Sequence, residues 1–364
     1  MAHLFDPFRL RDLTFSNRIF VSPMCQYSSV DGFSNDWHFV HLASRAIGGA
    51  ALVFTEASAV TADGRISPHD LGIWDDVHIV GLARIVRFVR EQGSAIGIQL
   101  AHAGRKASTK RPWEGQGRIA PEDGGWTPVG PTDEPFAENY PIPHALTLAE
   151  IPAIVDAFRD AARRSLEAGF EVVELHAAHG YLIHEFLSPL SNHRSDAYGG
   201  SFDNRIRLCL DIVDAVRTVW PERLPLFVRL SATDWSEGGW NIEQSVRLAR
   251  RLRERGVDLV DCSSGGNVAH ATIPMAPGYQ VRFAAQIKRE AGVATGAVGM
   301  ITTAEQADVI VRRGDADAIL LAREMLRDPY FALRAARELG HRVPWPAQYL
   351  RAAAHGTPAR PTIV

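Results

Sequence analysis

Eight short runs of β-branched and apolar residues recur along the chain, and the segments between most of them carry helical periodicity. The runs are Arg18–Pro23, Ala51–Glu56, Ala95–Leu100, Glu171–His176, Leu226–Ser231, Leu259–Ser263, Ala294–Val298 and Ala318–Leu321. Helices are expected near Trp37–Ile47, Val77–Glu91, Leu148–Ala168, Asn204–Val219, Ile242–Arg255, Arg282–Ala291 and Ala304–Arg313. Thr147 with Glu150, and Thr302 with Glu305, have the hydroxyl and carboxylate spacing that caps a helix start, and Gly169, Gly256, Gly292 and Gly314 stand where helices should stop. Strands apolar on both faces must be covered by helices on one side and by each other on the other. The alternation runs on without a break in composition, so the expected fold is α/β, a TIM (β/α)8 barrel built as a single domain over residues 1–364. An open, doubly wound sheet is the competing architecture. One stretch breaks the rhythm: residues 102–146, rich in Gly, Pro and Trp, read as an excursion after the third strand that caps the barrel mouth.

Composition removes several function classes. A net charge of −3, with no long basic run, leaves no field for a phosphate backbone, so nucleic acid is not an expected partner. The longest apolar runs fall far short of the roughly 20 residues that cross a bilayer, and the start of the chain lacks the basic and apolar segments of a signal peptide; no membrane is expected, and the cytoplasm is. Three scattered cysteines, Cys25, Cys209 and Cys262, are too few for a disulfide framework or a four-thiolate cluster.

In such a barrel, reactive groups gather at the C-terminal ends of the strands. Strand one ends in Met24-Cys25-Gln26-Tyr27, strand three in Gln99-Leu100-Ala101-His102, and strand four in His176-Ala177-Ala178-His179-Gly180-Tyr181; Arg229 lies on strand five. His176 and His179 have a spacing that also suits a metal, with Cys25 or Glu174 as a third ligand, and each is open to a purely structural reading. Gln99 and Arg229 either satisfy each other or together present amide groups and a fixed charge to a planar heterocycle such as the pyrimidine edge of a flavin. Gly296, Gly299 and Arg323, near the ends of the last two strands, fit the phosphate site common in these barrels.

Read together, Ser22-Pro23-Met24-Cys25-Gln26-Tyr27, Gln99 through Lys106, His176 through Tyr181, Phe186 through Asn192 with Asp196–Gly200 and Asn204-Arg205, and Thr295–Gly299 make the chain resemble the old yellow enzyme family, bacterial xenobiotic reductase and thermophilic-like subgroup. The resemblance implies tightly bound FMN, with NADPH or NADH as reductant. It also implies reduction of an activated C=C bond in small molecules such as enones, enals, maleimides or nitro compounds, with phenols as inhibitors. It assigns His176 and His179 to the substrate oxygen and Tyr181 to the proton. Pro23, Met24, Cys25, Ala57, Gln99, Arg229, Gly299, Ala322 and Arg323 are assigned to the flavin, with Ala322 standing where many relatives have Gly. Tyr27 is assigned to the substrate, as is Arg351, reaching from the tail at 341–364 into a neighbouring subunit's site, which makes the expected active unit a homodimer or homotetramer. The competing functions are a larger iron–sulfur flavin barrel, a metal-dependent barrel lyase or hydrolase using His176 and His179, and a non-catalytic flavin carrier.

Overall fold

A computed structural model describes residues 1–115 and 117–361. Eight parallel strands close into a barrel: β1 (Ile19–Val21), β2 (Leu52–Ala59), β3 (Ala95–Ala101), β4 (Val172–Ala177), β5 (Leu226–Ser231), β6 (Leu259–Ser263), β7 (Ala294–Ala297) and β8 (Ala318–Leu321), with β8 pairing back onto β1. Every residue of β2 to β6 is buried, the signature of strands covered on both faces. The outer ring is α1 (Asp36–Ile47), α2 (Ile79–Glu91), α3 (Ile151–Glu167), α4 (Arg207–Arg217), α5 (Ile242–Glu254), α6 (Val281–Ala291), α7 (Ala304–Arg313) and α8 (Phe331–Glu338). The TIM barrel is therefore the fold, and the open sheet is not. No helix among the described residues is long and apolar enough to cross a membrane.

Boundaries follow local chemistry. The expected helix over Asn204–Val219 is two pieces, Phe202–Arg205 capped by Ser201 and then α4. The cap of α7 lies one residue later than the spacing suggests: Thr303, not Thr302, accepts from the Gln306 N–H at 3.1 Å, and the Gln306 side chain reaches back to the Thr302 N–H. At Glu150 only half the motif forms. Its carboxylate accepts from the Thr147 N–H and hydroxyl, while the helix proper begins at Ile151.

The barrel interior changes character along its axis. Its lower half is apolar, filled by Phe20, Leu52, Phe54, Phe227, Leu259 and Leu320 and closed from below by an antiparallel hairpin, Phe8–Leu10 with Leu13–Phe15. Phe15 meets Phe20 at 4.8 Å between ring centroids, and Phe54 meets Phe227 at 6.0 Å. In β2 the register slips between Phe54, opposite Gly97, and Ala57, opposite Gln99. This bulge turns Ala57 inward beside Gln99, while Glu56 pairs with His38 of α1 at 3.1 Å.

Residues 102–146 contain 3-10 turns at Gly104–Lys106, Pro112–Glu114 and Pro121–Asp123 and a two-residue pairing of Val129–Gly130 with His144–Ala145. They carry Trp113 to within 5.9 Å of Tyr27 and Phe136 to within 4.2 Å of the Lys106 ammonium. The C-terminal segment folds back on its own barrel through 361; residues 362–364 of the expected tail lie outside the described residues. Arg360 donates to the carbonyls of Ala46, Ile47 and Gln92, so one guanidinium serves the ends of both α1 and α2.

Candidate active site

A polar rung lies above the apolar half of the barrel. Gln99 Nε2 donates to Glu174 Oε1 at 2.8 Å across the β3–β4 pairing, and Arg229 Nε lies 3.0 Å from Asp261 Oδ2 across the β5–β6 pairing. All four side chains are buried. Gln99 and Arg229 thus do not satisfy each other; each leans on its own acid. Burial, with Asp261 adding to it, lifts the Glu174 carboxyl to about 8, against the opposing pull of Arg229 and Gln99. Burial also raises Asp261, opposed by Arg229.

Beyond this rung the chain after β4 turns sharply. His176 is the penultimate residue of the strand and accepts the Ala178 N–H on Nδ1 at 3.2 Å. His179 sits in the left-handed region at φ 60°, its N–H donating to Ser231 Oγ at 3.0 Å. Its Nε2 lies 2.7 Å from Ser263 Oγ, and its Nδ1 lies 3.3 Å from His176 Nε2. Burial and the nearby Arg229 hold both imidazoles well below the usual histidine range, so both are neutral. The Tyr181 ring stands edge-on to His176 at 4.9 Å, and burial, with Cys25 and Asp70, pushes its phenol well up.

Cys25, Tyr27 and Trp126 pack with Tyr181 around Ile66, Ala103 and Ala107. The Cys25 thiol is driven upward by burial and by Asp70 and Glu56, against the opposing pull of the Ala57 backbone and the Tyr27 hydroxyl. That is a protonated, weakly polar group rather than an activated nucleophile. Pro23 and Met24 follow β1 after Ser22. The Gln26 side chain turns back to the Met24 carbonyl, and the Gln26 N–H donates to Glu56. The neighbouring Ser22 hydroxyl is buried with no hydrogen-bond partner among the described residues.

At the ends of β7 and β8, Gly299 has φ 115°, and a Cβ built there would come within 2.7 Å of the Gln280 amide. Ala322 keeps φ at −101°, so its methyl is accommodated, and Arg323 follows it on the surface. Gly296 is not part of this place: it lies inside β7, where a Cβ would come within 2.2 Å of Leu320 Cδ1. Arg351 is exposed on the turn Ala347–Ala352, and among the described residues it makes no hydrogen bond to the mouth of its own barrel.

The donor set suits FMN. Gln99 and Arg229 offer amide and guanidinium groups to an imide edge, Ser22 holds an orphaned hydroxyl, and Gly299, without a side chain, and the exposed Arg323 stand at the ends of β7 and β8. A metal reading finds less support in geometry. Among the described residues no three His, Cys, Asp or Glu side chains converge on one point, and Glu174 is engaged with Gln99. The sequence reading overlooked Asp261, Ser231, Ser263 and the partners of Lys106. Period-two counting from Arg229 and from Asp261 reaches both serines, because alternate residues share the inner face.

Residues 3–341 match the NADH:flavin oxidoreductase / NADH oxidase family model. The NADPH dehydrogenase of Geobacillus thermodenitrificans is 51% identical over 350 residues, covering 96% of this chain and 98% of that protein. Among solved structures, the old yellow enzyme homologue of Zymomonas mobilis superposes with a TM-score of 0.80 at 27% identity, over 93% of each chain. A 2-naphthoyl-CoA reductase superposes with a TM-score of 0.83 at 25% identity, over 93% of this chain but 52% of that longer one. Barrel, polar rung and these likenesses agree, and the chain belongs to the NADH:flavin oxidoreductase / NADH oxidase family, the old yellow enzyme family of FMN-dependent enzymes.

Proposed function

We propose that this FMN-linked NAD(P)H oxidoreductase is an ene-reductase that reduces the activated C=C bond of α,β-unsaturated carbonyl or nitro compounds. The observation that carries the reading is the pair His176 and His179. The Ala178 N–H on His176 Nδ1 leaves that ring's proton on Nε2, and we assign the Ser263 hydroxyl as donor to His179 Nε2, which places the other proton on Nδ1. Nδ1 and Nε2 of the two rings are 3.3 Å apart, so two neutral N–H donors converge on one place. A carbonyl or nitro oxygen bound there gains stabilisation as negative charge develops on it.

Gln99 and Arg229 hold the flavin's pyrimidine edge in this reading. Pro23, Met24, Cys25 and Ala57 border its ring, and Gly299, Ala322 and Arg323 take the phosphate. FMN bound there and reduced by NADPH or NADH would supply the hydride for the alkene's β-carbon. Tyr181, kept protonated by its burial and adjacent to His176, delivers the proton to the α-carbon. Tyr27, with Trp113 against it, forms the substrate's outer wall, where enones, enals, maleimides and phenolic ligands enter beneath the 102–146 excursion. Arg351, exposed on its turn, is assigned to the mouth of a neighbouring copy in a homodimer or homotetramer.

Anaerobic half-reactions test the reading. In Tyr181→Phe, reoxidation by cyclohexenone slows by a factor of about 10² or more, while reduction by NADPH keeps its rate. Equal slowing of both halves refutes the role of Tyr181.

A further inference from the structure

The adjacent Arg105 and Lys106 are not explained by the chemistry above. They lie on the turn Gly104–Lys106 just beyond β3, yet their partners belong to the segments that follow β4 and β6, including the short helix Leu182–Leu187. The Lys106 ammonium donates to the His179 carbonyl at 2.9 Å and to the Gly266 carbonyl at 2.7 Å. Arg105 makes a parallel pair of links, its N–H to Glu185 Oε1 at 2.9 Å and its guanidinium to the Asn267 carbonyl at 2.7 Å. Two consecutive basic residues therefore stitch the loop after β4 to the loop after β6. The stitched loops also interlock without side chains: a Cβ on Gly180 would come within 2.3 Å of the Gly266 carbonyl oxygen, and a Cβ on Gly266 within 2.7 Å of the His179 Cα.

The placement answers a backbone problem. His179 is a non-glycine residue at φ 60°, a conformation that persists only where the surroundings hold it. That turn points its ring at Ser263 and His176, but it also directs its carbonyl away from any strand partner. A carbonyl left unpaired in so enclosed a place is costly, and an ammonium, with three donors, can serve it and Gly266 together. The ring face of Phe136 covers Lys106 at 4.2 Å and that of Tyr181 lies 5.7 Å away.

We propose that Lys106 is a positioning residue: by holding the carbonyls of His179 and Gly266 it keeps the His179 imidazole aimed at the place where the substrate oxygen binds. The inference rests on the assignment of His179 to that oxygen. Lys106 acts through His179, because two of its donors are engaged with main-chain carbonyls.

The test uses FMN-saturated enzyme carrying Lys106→Met or Lys106→Arg, titrated with p-hydroxybenzaldehyde and followed by the long-wavelength charge-transfer band. In Lys106→Met the phenolate affinity should fall by about tenfold or more, and kcat/KM for cyclohexenone should fall with it, while FMN retention on dialysis stays at the wild-type level. Lys106→Arg, which keeps several N–H donors, should recover most of the affinity. Phenolate affinity of Lys106→Met within about twofold of wild type overturns the inference and leaves the assignment of His179 intact. Parallel loss of FMN and phenolate affinity, unrestored by Lys106→Arg, also overturns it, since it marks a general structural role. If wild-type enzyme itself gives no band, the assignment of His179 fails, and this inference with it.

Discussion

Replacing Glu174 by Gln should make the protein more stable, and increasingly so as pH rises. Glu174 is fully buried, bonded through Oε1 to Gln99, and its Oε2 has no hydrogen-bond partner among the described residues. Its carboxyl titrates at about 8 in the fold, chiefly from burial and then from Asp261, against roughly 4.3 in an unfolded chain. Between those two values the folded protein keeps a proton that the unfolded chain has released. Folding stability is therefore full below the unfolded value and is lost as pH climbs toward the folded one. The loss approaches about 1.4 kcal/mol for each pH unit and about 5 kcal/mol in all. A glutamine retains the carbonyl that accepts from Gln99 and has nothing to ionise. Urea unfolding of FMN-saturated wild type and Glu174→Gln, followed by tryptophan fluorescence at pH 5, 6, 7 and 8, should give stabilities that differ least at pH 5, where about 1 kcal/mol of the pH-dependent loss is already present, and separate steadily in favour of glutamine. Raised acids that do not interact with Glu174, such as Glu185, are present in both proteins and cancel in the difference. A gap independent of pH, or one that favours glutamate at pH 8, would refute the assignment of a neutral carboxyl under Gln99.

Gly180→Ala should cost about 2–3 kcal/mol or more, since φ is +74° and the new methyl would meet the Gly266 carbonyl at 2.3 Å; a urea midpoint shifted by less than about 0.5 kcal/mol would show that the two loops are not interlocked. Arg360→Ala should cost about 1–3 kcal/mol by removing a donor from three carbonyls at the ends of α1 and α2, of which Ala46 keeps the Gly49 N–H, with cyclohexenone turnover unchanged because the contact lies at the opposite end of the barrel. Thermal unfolding at the wild-type midpoint would contradict it. His176→Ala should weaken phenolate binding and its charge-transfer band by a factor of about 10 or more, and an unaltered titration would remove that ring from the site.

The barrel was legible because its strands obey one simple demand. Runs such as Val172–Ala177 and Leu226–Ser231 are apolar on both faces, and only a doubly covered parallel sheet accepts them. The residues at their ends then became candidates by position alone. What stayed hidden depends on geometry that spacing does not encode. The cap at Thr303 competes with an equally plausible Thr302 one residue earlier. The hairpin below the barrel has strands of three residues each, too short for a pattern to rise above its surroundings. The bulge in β2, which decides that Ala57 rather than Glu56 faces Gln99, leaves no mark in the order of residues. Lys106 finds its carbonyls 73 and 160 positions away, and no local rule reaches that far. Asp261 was within reach, because it alternates with Ser263 on the same inner face, but an acid inside a strand is easily passed over when strand ends are the object of attention.

The aromatic plug under the barrel divides the molecule into two provinces with separate obligations. Phe15, Phe20, Phe54 and Phe227 fill the lower half with apolar rings, so under the proposed function reductant and acceptor would both reach the site from above. Freed from chemistry, that lower half answers only to packing. It is the natural place to engineer heat tolerance, by repacking ring against ring, without disturbing selectivity at the rim.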